Sequence, residues 1–193
     1  MASVLLKDAR LTFPALFTAK QVQGQGEAKF SAGFLLPRNH PQLKEVEAAL
    51  LAVATEKWGA KSGEVLKALK AGDRMCVHDG DSKSDYDGYA GQLFINASNK
   101  IRPLVIDANR NPIEESAGTI YSGCYVNVKL EFWAQDNQFG KRINASLLGV
   151  QFAKDGERLA GGSVATVDDF EAVPAAAQTA AAASGAGAAG LFG

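Results

Sequence analysis

The stretch "GCYVNVKLEFWAQ", residues 123–135, decides the fold. Apolar and polar residues alternate along it, the two-residue period of a strand with one buried face. Cys124, Val126, Val128, Leu130 and Phe132 fall on the face that belongs in a core, and Tyr125, Asn127, Lys129, Glu131 and Trp133 fall on the other. Two large aromatics flanking a lysine on a polar face suit a ligand with flat faces and negative charge.

Working outward, "GQLFINAS" (91–98) shows the same arrangement. Leu93 and Ile95 point inward, while Gln92, Phe94, Asn96 and Ser98 point out. Lys100 and Arg102 follow closely, and Lys141 and Arg142 lie in the "QFGKRIN" turn. Lys29, in "KFSAGFLLP", lies opposite the core side formed by Phe30, Ala32, Phe34 and Leu36. Aromatics interleaved with cations are what single-stranded nucleic acid requires. Bases stack on rings, at about 1–3 kcal/mol each, while Lys and Arg follow the phosphates. The competing reading packs Phe94 or Trp133 under a loop or into a second core layer.

The rest of the chain fits a small β domain. "VLLKDARLTFPALF" (4–17) reads as a strand ending near Pro14, and "KFSAGFLLP" as a second stopped by Pro37. "RNHPQLKEVEAALLAVATEKWG" (38–59) is the clearest helix: Asn39 as cap, Pro41 in the first turn, Gly59 at the end. Leu43, Val46, Leu50, Val53 and Ala54 recur at helical spacing, and Trp58 ends that stripe as a core residue. A shorter helix around "GEVLKALKAG" closes at Gly72. After "DRMCVHDG" come "GQLFINAS", "RPLVIDA", the opening strand and "RINASLLGVQFAK". Five or six strands with an inserted helix describe a small barrel or an α+β sheet; among barrels, the OB-fold is a Greek key that binds oligonucleotides on one face.

The expected class is therefore mainly β: an OB-fold-like Greek-key barrel plus one long helix. The domain is placed at 1–162. Residues 163–193 are placed as an acidic, then Ala/Gly-rich flexible tail, since "PAAAQTAAAASGAGAAGLFG" could anchor no core.

Charge is unevenly distributed. The formal net charge is −1, but residues 155–193 hold five acids against Arg158 alone, which leaves +3 for residues 1–154. The two cysteines, Cys76 and Cys124, sit in apolar strand-like settings, read as buried reduced thiols and form no zinc motif. No run approaches the roughly 20 apolar residues of a membrane span. The start lacks a signal-peptide pattern, so a cytosolic protein is expected.

One stretch competes for attention. "HDGDSKSDYDGYAG" (78–91) places His78, Asp79, Asp81, Asp85 and Asp87 within ten positions. It could hold magnesium for a nuclease. It fails the EF-hand pattern, because Ser84 stands where Gly is needed, and no D-x-E-x-K follows. Its acids are expected to solvate a loop and face away from DNA. Lys83 would be its one phosphate contact, and Tyr86 and Tyr89 would be stacking platforms.

Several segments then occur in a telling order. They are "ARLTFPALF", "KFSAGFLLPR", "AALLAVATEKWG", "DGD" with "YAGQLFINAS", "RPLVIDANRNPI", "IYSGCYVNV", "LLGVQFAKDGERLAGG" and "DDFE". Together, over about residues 3–171, this set resembles the phage-encoded OB-fold single-stranded DNA-binding proteins. The resemblance implies a non-catalytic protein that coats and protects single-stranded DNA during phage replication or recombination in the host cytoplasm. It also implies an acidic tail that recruits replication or recombination enzymes. Here the candidates are Asp168, Asp169, Phe170 and Glu171, though the chain departs from that pattern by ending on Gly193.

The expected DNA-binding set is Lys29, Tyr86, Tyr89, Phe94, Lys100, Arg102, Tyr125, Lys129, Trp133, Lys141 and Arg142. No cofactor, metal or membrane partner is called for, and a homodimer is left open. A magnesium-dependent nuclease and a structural virion protein stand as the alternatives.

Overall fold

In the computed structural model, residues 1–22 and 25–159 are described, all within the unit Met1–Gly161. The proposed domain limit at 162 and the tail residues Asp168, Asp169, Phe170 and Glu171 lie outside the described residues.

Strand β1 (Ala2–Val22) turns back into β2 (Gln25–Pro37). Helices α1 (Leu43–Trp58) and α2 (Ser62–Ala71) follow, then β3 (Val77–Asp79), β4 (Gln92–Asn99), β5 (Leu104–Ile106), β6 (Tyr125–Asn137) and β7 (Gly140–Lys154). One seven-stranded sheet results, in the order β3-β4-β2-β1-β6-β7-β5. All pairings are antiparallel except β5 with β7.

The sheet curls until β4 meets β7, although three strands separate them in the ladder. No backbone ladder joins the two; the Asn99 side-chain amide instead donates to the Leu147 carbonyl at 3.1 Å. The five long strands thus form a barrel with an open seam, the partly open Greek-key architecture of the OB-fold.

Alternation along β6 holds residue for residue: Cys124, Val126, Val128, Leu130 and Phe132 are fully buried. They meet Leu6, Leu11, Phe34, Ile95 and Leu147 in one core. Helix α1 lies against β1 and β6 and adds Val46, Leu50, Val53 and Ala54 to it, the predicted stripe. Cys76 and Cys124 are free and buried, and desolvation pushes the Cys76 thiol up to about 12.

The first strand runs past Pro14, contrary to the sequence expectation. Proline removes one ladder donor, and the chain absorbs the loss with a bulge between Thr12 and Ala15 rather than by ending the strand. The start of α1 is also corrected. Asn39 does not cap it; Gln42 holds that position without a side-chain cap bond. The Gln42 side chain instead accepts from Lys7 N–H and donates to the Leu5 carbonyl, both at 2.8 Å, which ties the helix to β1. Gly59 ends the helix as expected, with φ of 56°.

After β7 the chain runs back over Gly123. A Cβ at Gly123 would collide with the Glu157 carbonyl, and one at Gly156 with the Gly123 carbonyl. Tyr121 completes the clasp: its hydroxyl donates to Asp155 Oδ1 at 2.8 Å and accepts from Gly156 N–H at 3.1 Å. This close approach gives "SGC" and "KDGER" a physical reason to carry glycine.

Candidate nucleic-acid interface

The open seam is a groove of about 660 Å³. Its floor holds small side chains from the strands on both sides, Ala32, Ala97 and Ala145, with Cys76 and Ile143. Alanines leave the surface concave where larger residues would fill it. The walls are hydrogen-bonding: Ser31 from β2, Asn96 and Ser98 from β4, Gln135 from β6, Asn144 and Ser146 from β7.

Trp133 stands in the wall, half-buried, its indole N–H donating to Ser146 Oγ at 3.1 Å. That bond fixes the ring and leaves part of its surface facing the groove. Lys29, Lys100 and Arg142 are exposed cations on the same groove. Lys100 pairs with Glu27 at 2.5 Å, while Lys29 and Arg142 have no ion-pair partner among the described residues. The acid on the groove, Asp73, is bonded to His78 Nδ1 at 2.6 Å. A concave channel with polar walls, one fixed indole and a cationic rim can seat a chain of bases and phosphates.

The structure divides the eleven expected residues into three groups. Lys29, Lys100, Trp133 and Arg142 come together on the groove. Tyr86 is 51% exposed on a neighbouring wall, its ring edge-on to Phe13 at 5.6 Å. The others lie off the groove or inside the protein.

Phe94 and Tyr89 require correction as outward-facing platforms, being only 1% and 3% exposed. They form a second small core with Leu35, beneath the 80–91 loop and Leu159. Phe94 stacks on His78 at 4.9 Å, with the Lys83 ammonium 5.1 Å from its ring. The Tyr89 hydroxyl bonds Thr12 Oγ1 at 3.0 Å, and burial pushes its phenol above the ordinary tyrosine range.

Arg102 pairs with Glu114 at 2.7 Å and covers Phe17. Lys141 pairs with Asp136 and lies over Trp58, whose indole donates to the same carboxylate at 2.9 Å. Tyr125 carries the Lys154 ammonium 4.8 Å from its ring, and Lys129 is exposed on β6 away from the groove.

The acidic loop is organised by its own charges. Arg38 reaches Asp79 at 2.5 Å and Asp81 at 2.8 Å. Asp79 also accepts from Asp81 N–H at 3.0 Å, and Asp81 accepts from Gly91 N–H at 2.6 Å. The Asp81 N–H bond, and then the Arg38 guanidinium, hold the Asp79 carboxyl below the usual carboxylate range. Two of the loop's four aspartates thus fold the loop, and no group of three or more metal-ligating side chains gathers among the described residues.

Sequence reading missed Phe13. It is 56% exposed, stands at the groove, and has φ of 45°, a left-handed backbone that a bulky residue rarely adopts. The signal was "FP": a proline inside a strand implies a bulge, and a bulge re-aims the neighbouring side chain. Asn96 and Asn144 were likewise visible only as polar strand positions.

Comparison with known proteins gives a consistent result. The family model described as "Enterobacter phage Enc34, ssDNA-binding protein" matches residues 2–181. A protein named p50, from Acyrthosiphon pisum secondary endosymbiont phage 1, is 48% identical over 171 residues, 87% of this chain and 92% of that one. The single-stranded DNA-binding protein of bacteriophage Enc34, solved with single-stranded DNA, superposes with a TM-score of 0.70. It is 29% identical, over 82% of this chain and 89% of the other. The gp2.5 single-stranded DNA-binding protein of bacteriophage T7 shares the fold at a TM-score of 0.55 and 12% identity, over 86% and 97% of the two chains.

Proposed function

This chain belongs to the Enterobacter phage Enc34 single-stranded DNA-binding protein family, and from that premise we propose that it coats single-stranded DNA without catalysis. The observation that carries the reading is the open β4–β7 seam, where Trp133, Lys29, Lys100 and Arg142 share one groove with hydrogen-bonding walls. The strand lies along that seam, bases toward Trp133 and phosphates toward the cations. Binding serves phage DNA replication or recombination in the host cytoplasm. The acidic segment Asp168, Asp169, Phe170 and Glu171 serves as the docking site for partner enzymes. Among the described residues no helix is long and apolar enough to cross a membrane.

The nuclease alternative loses its support, because Asp79 and Asp81 are committed to Arg38 and to backbone amides. A structural virion role has no feature of its own to favour it.

Titration of labelled oligo-dT and a matched duplex, at about 50 and about 300 mM salt, tests the reading. The expected result is preference for the single strand, weakening with salt, and quenching of tryptophan fluorescence. Equal affinity for duplex, or no binding at the lower salt, would overturn it.

A further inference from the structure

Phe13 lines two cavities. One is the groove; the other is an adjoining slot of about 160 Å³. Three aromatic rings bound the slot, Phe13, Tyr86 and Tyr89, with Leu159 closing its apolar side. The rings meet edge-on or tilted, with centroids 5.6–6.4 Å apart, so they form walls and not a filled stack. Polar residues complete the lining: Thr12, Ser122 and Asp87.

Thr12 and Tyr89 join hydroxyls directly beside Gly33, which belongs to the groove; a Cβ there would collide with Thr12 Oγ1. The Phe13 ring therefore borders both groove and slot, and this hydroxyl pair lies where the slot adjoins the groove's Gly33. The bulge at Thr12–Ala15 and the left-handed backbone of Phe13 hold that ring out on the surface. Strain of this kind persists where surrounding structure maintains it, and it collects at ligand-gripping positions.

We propose that the slot takes one base turned out of the strand bound in the groove, and that Asp87 favours a base carrying an exocyclic amine. The inference rests on the single-stranded DNA reading and adds a specificity to it. Aromatic walls accept any base, because each has a π-face. The carboxylate discriminates at position 4 of the pyrimidine: it accepts from the cytosine N4 amine, whereas thymine presents the O4 carbonyl oxygen there. Phe13 guides the base from the groove into the slot.

Two variants test this on the full chain. Asp87→Ala removes the acceptor from an exposed loop position, and Phe13→Gly removes the ring while suiting the left-handed backbone. The probes are end-labelled oligo-dC and oligo-dT of about 16 nucleotides, and the same oligo-dT with one internal 2-aminopurine, whose fluorescence falls on stacking. The dC-to-dT affinity ratio is expected to drop about tenfold in Asp87→Ala, the low end for one hydrogen bond to a charged group. Phe13→Gly is expected to lose most of the 2-aminopurine quenching, read with the strand saturated by protein. An unchanged ratio in Asp87→Ala, or full quenching in Phe13→Gly once the strand is saturated by protein, would overturn the slot alone. Failure of the native chain to bind any of the oligonucleotides would overturn the single-stranded DNA reading and the slot with it.

Discussion

Phe94 on β4 and Trp133 on β6 occupy equivalent places in their strands. Each alternates with core residues and each has polar neighbours on its own face, yet one ring is 1% exposed and the other stands in the groove wall. The difference comes from what lies above. Over β4 the 80–91 loop folds down, organised by Arg38, Asp79 and Asp81, and brings Tyr89 onto Phe94 with ring centroids 5.1 Å apart. Over β6 nothing comparable descends among the described residues, and the β4–β7 seam beside Trp133 stays open. Strand parity therefore says which face a side chain takes, and only tertiary structure says whether that face is covered.

The sharpest way to break this comparison is to truncate both rings. Phe94→Ala should destabilise the fold by about 3–5 kcal/mol, the usual cost of deleting a buried aromatic, measured by urea denaturation. Trp133→Ala should cost less stability but weaken single-stranded DNA binding by about 1–3 kcal/mol, the worth of one stacked base. Similar effects of the two on stability would erase the distinction between a covered and an open face.

Charge offers a second test at smaller amplitude. Lys29→Gln and Arg142→Gln should each make the slope of log affinity against log salt shallower by about 0.7 for every phosphate left without its cation. Lys129→Gln, off the groove, should leave that slope unchanged. A slope that responds equally at Lys129 would move the DNA path to the outer face of β6.

The smallest expected effect concerns the covering loop. The Asp79 carboxyl is held below its usual value, so its folded-state ionisation contributes stability above the ordinary carboxylate range, near pH 4. That contribution is lost as pH falls through the lowered folded value. Arg38→Gln should bring the Asp79 titration, followed by NMR, upward toward the ordinary range. Amide exchange across 79–91 should rise in the same variant. A titration unmoved by the substitution would remove Arg38 as the loop's organiser.

Much of the fold is legible in the sequence because its signals are local. The alternation in 124–132, the helical stripe from Val46 to Ala54 and the Gly59 stop all depend on neighbours a few residues away. Pro14 reads falsely as a strand end because the bulge that tolerates it is decided by β2, across the ladder. Asn39 reads falsely as a cap because the helix begins later, with Gln42 at the cap position and tied to β1 by its side chain. At the site, Lys29, Lys100, Trp133 and Arg142 are legible as cations and an aromatic on polar faces. Arg102 and Lys141 look the same in sequence, but Glu114 and Asp136 lie beside them in space. Phe13 escapes a sequence reading because its exposure depends on a backbone conformation that no periodicity reveals.

The central claim is that single-stranded DNA lies in the β4–β7 seam. Photocrosslinking an oligonucleotide that carries 5-bromodeoxyuridine to the full chain, with residue-level mapping by mass spectrometry, tests it most directly. Adducts at Trp133 and Phe13 are the predicted result. Adducts confined to Tyr125 and other residues off the groove would contradict it.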